Sequence, residues 1–298
     1  MALRITIDIF SGRPNPVVEL DGKRAREMLE RIRPLRPLPK RLSLAPEFRL
    51  GYRGLVIEQI GAGSRALPRV FRVAGGAIYG PDIAAAIADP GLESDFAATP
   101  GLDKKAGGVP DFPRILRRQI RALLEFRNTF KPPKHRWPPL RHRCLCAPLY
   151  EPAWWNDGAQ RQLHNNCYNY ACNHRTDTFH VVPGGSQPGA AAGAMYTSLT
   201  CASVRPAAIA DGVIDNPGAN NKCPREGHLA ALVSWPGVDF HWYRKGRNGL
   251  WTHKPGSTPA TNLDNAAHLI VDPRSADRGG YTQFCSFMTV MHGHVKIK

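Results

Sequence analysis

The chain has 298 residues, 40 Lys and Arg against 24 Asp and Glu, and a formal charge of +16. Its 42% apolar and 21% charged residues are the balance of a folded globular protein, not of a disordered chain. No apolar run approaches the roughly 20 residues that cross a bilayer, so no transmembrane segment is expected, and the 27 Pro and 28 Gly argue against a long helical bundle.

The N-terminal stretch MALRITIDIFSGRPNP contains nothing like the apolar core of a signal peptide. The expected location is therefore the cytoplasm, or outside the cell by a route without such a signal. LRITIDIF alternates apolar and polar residues and reads as a strand, SGRPNP as a tight turn, and VVEL as a second strand. DGKRAREMLERIR reads as a helix with Asp21 near its N-cap and Ala25, Met28, Leu29 and Ile32 on one face. GLVIEQI and RVFRVAGGAIYG suggest further strands, and PDIAAAIADPG a short helix stopped by Pro90 and Gly91. GAGSRALP has neither the spacing nor the Lys-Ser/Thr ending of a phosphate loop.

The clearest helix covers 111–130, capped by Asp111, with Pro113 in its first turn and Phe112, Leu116, Ile120, Leu123 and Leu124 in an apolar stripe. Arg114, Arg117, Arg118 and Arg121 lie mostly off that stripe. Residues 1–150 carry a net +13 and residues 151–298 only +3, and residues 104–143 hold 12 basic side chains opposed by Asp111 and Glu125. This basic segment is a candidate contact for an anionic partner, nucleic acid or an anionic surface. The Pro-rich stretch over 131–152 reads as an extended linker. The division expected is an N-terminal α+β accessory domain over 1–103, a basic helix and linker over 104–152, and a second α+β domain over 153–298.

In that second domain a helix is expected around Cys167, a small-residue loop over 183–195, and strands at LAALVSW, DFHWYRK, GLWTHKP and AHLIVDP. Asn165 or Asn166 can cap the helix, which would put Cys167 at the positive end of the helix dipole, where thiolate is favoured. Alternation along DFHWYRK puts Asp239, His241 and Tyr243 on one face. The turn after it brings His253 near His241, so that one imidazole could orient the other as a base. Gln162, Gln160 and Asn156 are candidate oxyanion donors, and Asn262 or Asp264 could replace His253 as orienter. Ser186, in GGSQPG, lacks the GxSxG pattern and is given no nucleophile role.

This order, a cysteine on a helix followed by a histidine and a polar residue on successive later strands, resembles the papain-like cysteine hydrolase superfamily over residues 153–298. The 12-residue spacing of His241 and His253 is similar to that of the bacterial NlpC-type cell-wall hydrolases, and the layout is similar to papain-like toxin and effector modules. The resemblance implies a papain-like fold and a peptidase, amidase or acyltransferase with no cofactor. Cys167 would be the nucleophile, His241 the base and His253 the orienter, acting on a peptide, peptidoglycan or protein substrate. The residue before the cysteine is Asn166, where NlpC-type enzymes usually have Asp.

All seven cysteines lie between Cys144 and Cys285. In a reducing compartment they would be free thiols, whereas on export Cys144, Cys146, Cys172, Cys201, Cys223 and Cys285 could pair and leave Cys167 over. His142, Cys144 and Cys146, then Cys167, Cys172 and His174, then Cys201, Cys223 and His228 form loose metal-like groups. Their spacing does not match a zinc knuckle, so no metal is expected. Two other readings remain at this point: a basic nucleic-acid or anionic-surface binding protein, and a zinc-stabilised interaction module.

Overall fold

The structure is a computed structural model that describes residues 1–42, 45–130 and 143–298. The chain divides into two compact units of mixed α+β character, each built on an antiparallel sheet. Among the described residues, no helix is long and apolar enough to cross a membrane.

The first unit comprises Met1–Ile9, Asn15–Pro46 and Gly51–Pro132. Its strands are β1 (Ala2–Asp8), β2 (Val17–Asp21), β3 (Pro34–Pro37), β4 (Gly54–Ile60), β5 (Val70–Val73), β6 (Ala77–Gly80) and β7 (Ile83–Ile87), in the order β2-β1-β4-β5-β6-β7-β3. The helices are α1 (Gly22–Ile32), α2 (Leu92–Phe96), α3 (Leu102–Lys105) and α4 (Phe112–Thr129). The hairpin of β1 and β2 and the buried face of α1, Ala25, Met28, Leu29 and Ile32, follow the sequence pattern. At the end of β1, Asp8 is buried and bonds to the guanidiniums of Arg53 and Arg72. Burial would push its carboxyl up, but the two arginines hold it below the usual carboxylate range.

Two local expectations are corrected here. PDIAAAIADPG holds a strand, β7, and not a helix. Alanine favours helix intrinsically, but Gly80, Pro81 and Asp82 lead into a hairpin in which Ala77 faces Ala86 and Gly80 faces Ile83. That pairing overrides a propensity of a few tenths of a kcal/mol per residue. Asp111 adopts a left-handed φ of 57° and makes no side-chain cap. The N–H of Phe112 is instead met by Asp103 Oδ1 at 3.0 Å.

Helix α4 buries Phe112, Leu116, Ile120 and Leu123 within the first unit, and Arg127 donates to the carbonyls of Ala74 and Gly75. Arg114, Arg117, Arg118 and Arg121 are exposed. Residues 131–142, which carry most of the expected linker, lie outside the described residues.

The second unit comprises Phe10–Pro14, Glu47–Leu50 and Pro133–Lys298. Its helices are α5 (Pro152–Trp155), α6 (Gln160–Leu163), α7 (Cys167–Cys172) and α8 (Cys201–Ala210). Strands β8 (Ile214–Asp215), β9 (His228–Trp235), β10 (Asp239–Lys245), β11 (Trp251–His253) and β12 (Gln283–Val290) run in the order β11-β10-β9-β12-β8. One face of the sheet packs Ala230, Leu232, Phe240 and Trp242 against Cys167, Tyr168 and Val204 from α7 and α8. The other packs Leu229, Ala231, Val233 and Tyr243 with Trp251 and Tyr281. AHLIVDP, expected as a strand, contributes only isolated bridges, Ile270 to Trp251 and Leu269 to Leu263.

Candidate functional site

Cys167 is the first residue of α7, and Asn166 sets it there. The Asn166 side-chain oxygen accepts from the N–H groups of Tyr168 (2.9 Å) and Asn169 (3.2 Å). Asn169 returns its own oxygen to the N–H of Asn166 at 3.1 Å, closing a capping box. The Asn166 amide also donates to the carbonyls of Gly12 and Ser186, which ties two distant loops to the start of the helix. The expected cap is therefore present, and Cys167 stands at a helix N-terminus.

Its environment does not favour thiolate. Cys167 is fully buried, and its sulfur lies against the backbone N–H of Trp242. Burial pushes the thiol far above its ordinary value, and the nearby Asp239 pushes it the same way. The N–H of Trp242 and the ammonium of Lys254 oppose the shift without overcoming it. Cys167 is a neutral thiol in an apolar layer.

His241 and His253 do meet. Strands β10 and β11 pair with Tyr243 opposite His253, and this register brings His241 Nε2 to 2.9 Å from His253 Nδ1. His253 Nε2 lies 2.9 Å from the carbonyl of Leu263. A carbonyl can only accept, so Nε2 of His253 carries a hydrogen, and in the neutral ring Nδ1 is then the lone-pair nitrogen. His241 then donates from Nε2, and its own lone pair falls on Nδ1. The rings of Tyr243 and His241 stand perpendicular with centroids 4.8 Å apart. Both tautomers are thus fixed by one backbone carbonyl.

The other candidates hold loops. Asn156 binds both backbone groups of Ala260, accepting at 2.6 Å and donating at 3.0 Å. Gln160 is exposed, and Gln162 accepts from the N–H of Gly158 at 3.3 Å. The carbonyl of Asn262 accepts from the N–H of Ile270. Asp264 accepts from the N–H groups of Ala266, His268 and Asp277. Leu263, between these last two, orients His253 through its main chain.

Two residues to which the sequence reading gave no role are also buried in this unit. Lys254 donates its ammonium to the carbonyls of Gln162, Asn165 and Gly256. Asp239 accepts from the Tyr281 hydroxyl and the Ser11 N–H, each at 2.5 Å. Burial pushes its carboxyl up to about 6 against the opposing pull of these donors. Its place on the His241 face was legible from alternation along β10, but its protonation depends on burial and was not. The loop over 183–195 lines part of a surface cleft of about 570 Å³, together with Arg13 and Tyr196.

No family model matches the chain, and no solved structure matches it. Insoluble matrix shell protein 1 of Ruditapes philippinarum is 42% identical over 149 residues, which span 49% of this chain and 92% of that protein. The chain belongs to the family of insoluble matrix shell protein 1.

Kinship with insoluble matrix shell protein 1 overturns the expectation of a cysteine hydrolase, toxin or effector. The readings as a nucleic-acid binder and as a zinc-stabilised module fall with it. The cysteines give a physical reason for the last. Cys144 pairs with Cys223 and Cys201 with Cys285, which removes both thiols from one of the three metal-like groups and one of the two from another. His142 lies outside the described residues. Among the described residues no group of three or more His, Cys, Asp or Glu is gathered for a metal. The two disulfides and the kinship with insoluble matrix shell protein 1 also overturn the expected cytoplasmic location. Cys146 is an exposed thiol, and Cys167 and Cys172 are buried ones.

Proposed function

We propose that the chain is a secreted structural protein of an insoluble, shell-type extracellular matrix. The observation that carries this reading is the 42% identity over nearly the whole of insoluble matrix shell protein 1. The disulfides support it, because each joins segments about 80 residues apart (79 and 84) and survives only where thiols are oxidised. In this reading the second unit uses a papain-like layering of helix on antiparallel sheet as a scaffold. The seating of α7 against β10 and the order Cys167, His241, His253 support that layering. The buried thiol and the paired imidazoles then hold the core together. The exposed arginines of α4 offer an anionic matrix component a row of cations.

Fractionation of the cells and matrix that produce the protein tests this. It is expected in the matrix residue that resists neutral salt buffer, and released by denaturant with reductant. Recovery in the soluble cell fraction with all seven cysteines reduced would overturn the reading. Alkylation of the native protein is expected to mark Cys146 alone, with Cys167 and Cys172 reacting only after unfolding.

A further inference from the structure

We infer that His228 and His292 form an open two-donor site for a divalent transition metal, copper or zinc. The site shares no residue with the His241 pair and does not depend on the proposed matrix role. His228 opens β9, and His292 follows directly after β12. The two strands are paired with Val290 opposite His228, so the end of β12 delivers His292 over the start of β9.

The chemistry of His228 is set from below. It is fully buried, and its Nε2 lies 2.7 Å from the carbonyl of Ala171. Nε2 must therefore carry the hydrogen, and the lone pair sits on Nδ1. Such a carbonyl is the usual partner of a metal-bound imidazole, because it fixes the tautomer and the ring plane.

His228 Nδ1 faces His292 Nε2 at 3.3 Å, and His292 is exposed. Two nitrogens each about 2.0–2.1 Å from one tetrahedral ion lie about 3.3–3.4 Å apart. The His241–His253 pair makes a shorter, fully buried hydrogen bond of 2.9 Å, whereas the 3.3 Å hydrogen bond of His228 and His292 has its outer ring exposed and open to exchange for a metal ion. The backbone keeps the two rings close. Gly227 has φ +69°, and a Cβ there would stand 2.3 Å from the carbonyl of Val290, so only glycine lets β9 begin this near to β12. With two protein donors, the remaining coordination positions fall to water or to a donor from another molecule.

The test is calorimetric titration of the full, disulfide-bonded chain with Cu²⁺ and with Zn²⁺, alongside His292→Ala and His294→Ala. Both replaced side chains are exposed, so the variants keep the core. One ion per chain is expected, with copper tighter than zinc. His292→Ala should weaken binding about tenfold or more, while His294→Ala should leave it unchanged. The electron paramagnetic resonance spectrum of the copper form should show two coupled nitrogens, falling to one in His292→Ala. Absence of binding, or copper binding and nitrogen couplings that survive His292→Ala unchanged, would overturn the site.

Discussion

Each unit buries an aspartate, and the two are stabilised in opposite ways. Asp8 in the first unit lies between Arg53 and Arg72 and is held ionised. Asp239 in the second receives hydrogen bonds from Tyr281, Ser11 and Gly12, and burial holds it toward its protonated form. The same contrast appears in the cysteines. None lies in the first 143 residues, whereas both disulfides are in the second unit. One unit secures its interior by charge pairing and the other by covalent links and hydrogen bonds. The first should therefore be sensitive to acid and the second to reductant.

Reduction should give the largest separation. Cross-links spanning 79 and 84 residues each restrict the unfolded chain by about 4.5 kcal/mol in the loop-entropy picture. Amide hydrogen exchange in β9 and β12 should accelerate strongly when reductant is added, and exchange in β1 and β4 should change little. Equal loss of protection in both sheets would break the comparison.

Asp8→Ala should give the next effect, on the opposite unit. It leaves the fully buried Arg53 without its carboxylate, a change that costs about 3–5 kcal/mol. The loss should appear in the denaturant midpoint followed through β1 and β4, with β9 and β12 unmoved. The ion pair also fixes a pH dependence. Because the folded carboxyl lies below its unfolded value, its stabilisation is complete above about pH 4 and is lost as pH falls through the folded value. A first unit that kept full stability well below that pH would count against the pairing.

Much of this organisation could be read from residue patterns, and the exceptions have physical causes. The stripes of α1 and α4 and the alternation of β10 were legible because burial on one face leaves a periodic trace. The alanines of β7 misled because strand pairing there outweighed propensity. Helix α8 went unread because Pro206 interrupts its pattern and its buried side chains are small. At the site, the Asn166 cap and the meeting of His241 with His253 followed from local spacing. The Leu263 carbonyl and the targets of Lys254 did not, since backbone groups carry no sequence identity. The disulfide pairs depend on contacts about 80 residues apart (79 and 84), and so does the burial that keeps Cys167 neutral on the tertiary packing of α7.

Asp239 sharpens the comparison with the smallest expected effect. Its carboxyl has an ordinary value near 3.8 and stands at about 6 when folded. Between those values the folded chain binds more protons than the unfolded one, so stability falls as pH rises from about 4 to about 6 and is then level. The total change is about 2–3 kcal/mol, opposite in sign to the dependence set by Asp8. Asp239→Asn keeps an acceptor oxygen for the Ser11 N–H and the Tyr281 hydroxyl but removes the ionisation. Denaturant midpoints followed at β9 and β12 between pH 4 and pH 7 should slope downward in the parent chain and flatten in the variant. A parent chain whose second unit gains stability over that range would mean that the charge of Arg13, which opposes the shift, outweighs burial at Asp239 as Arg53 and Arg72 do at Asp8, and the two units would then share one way of burying charge.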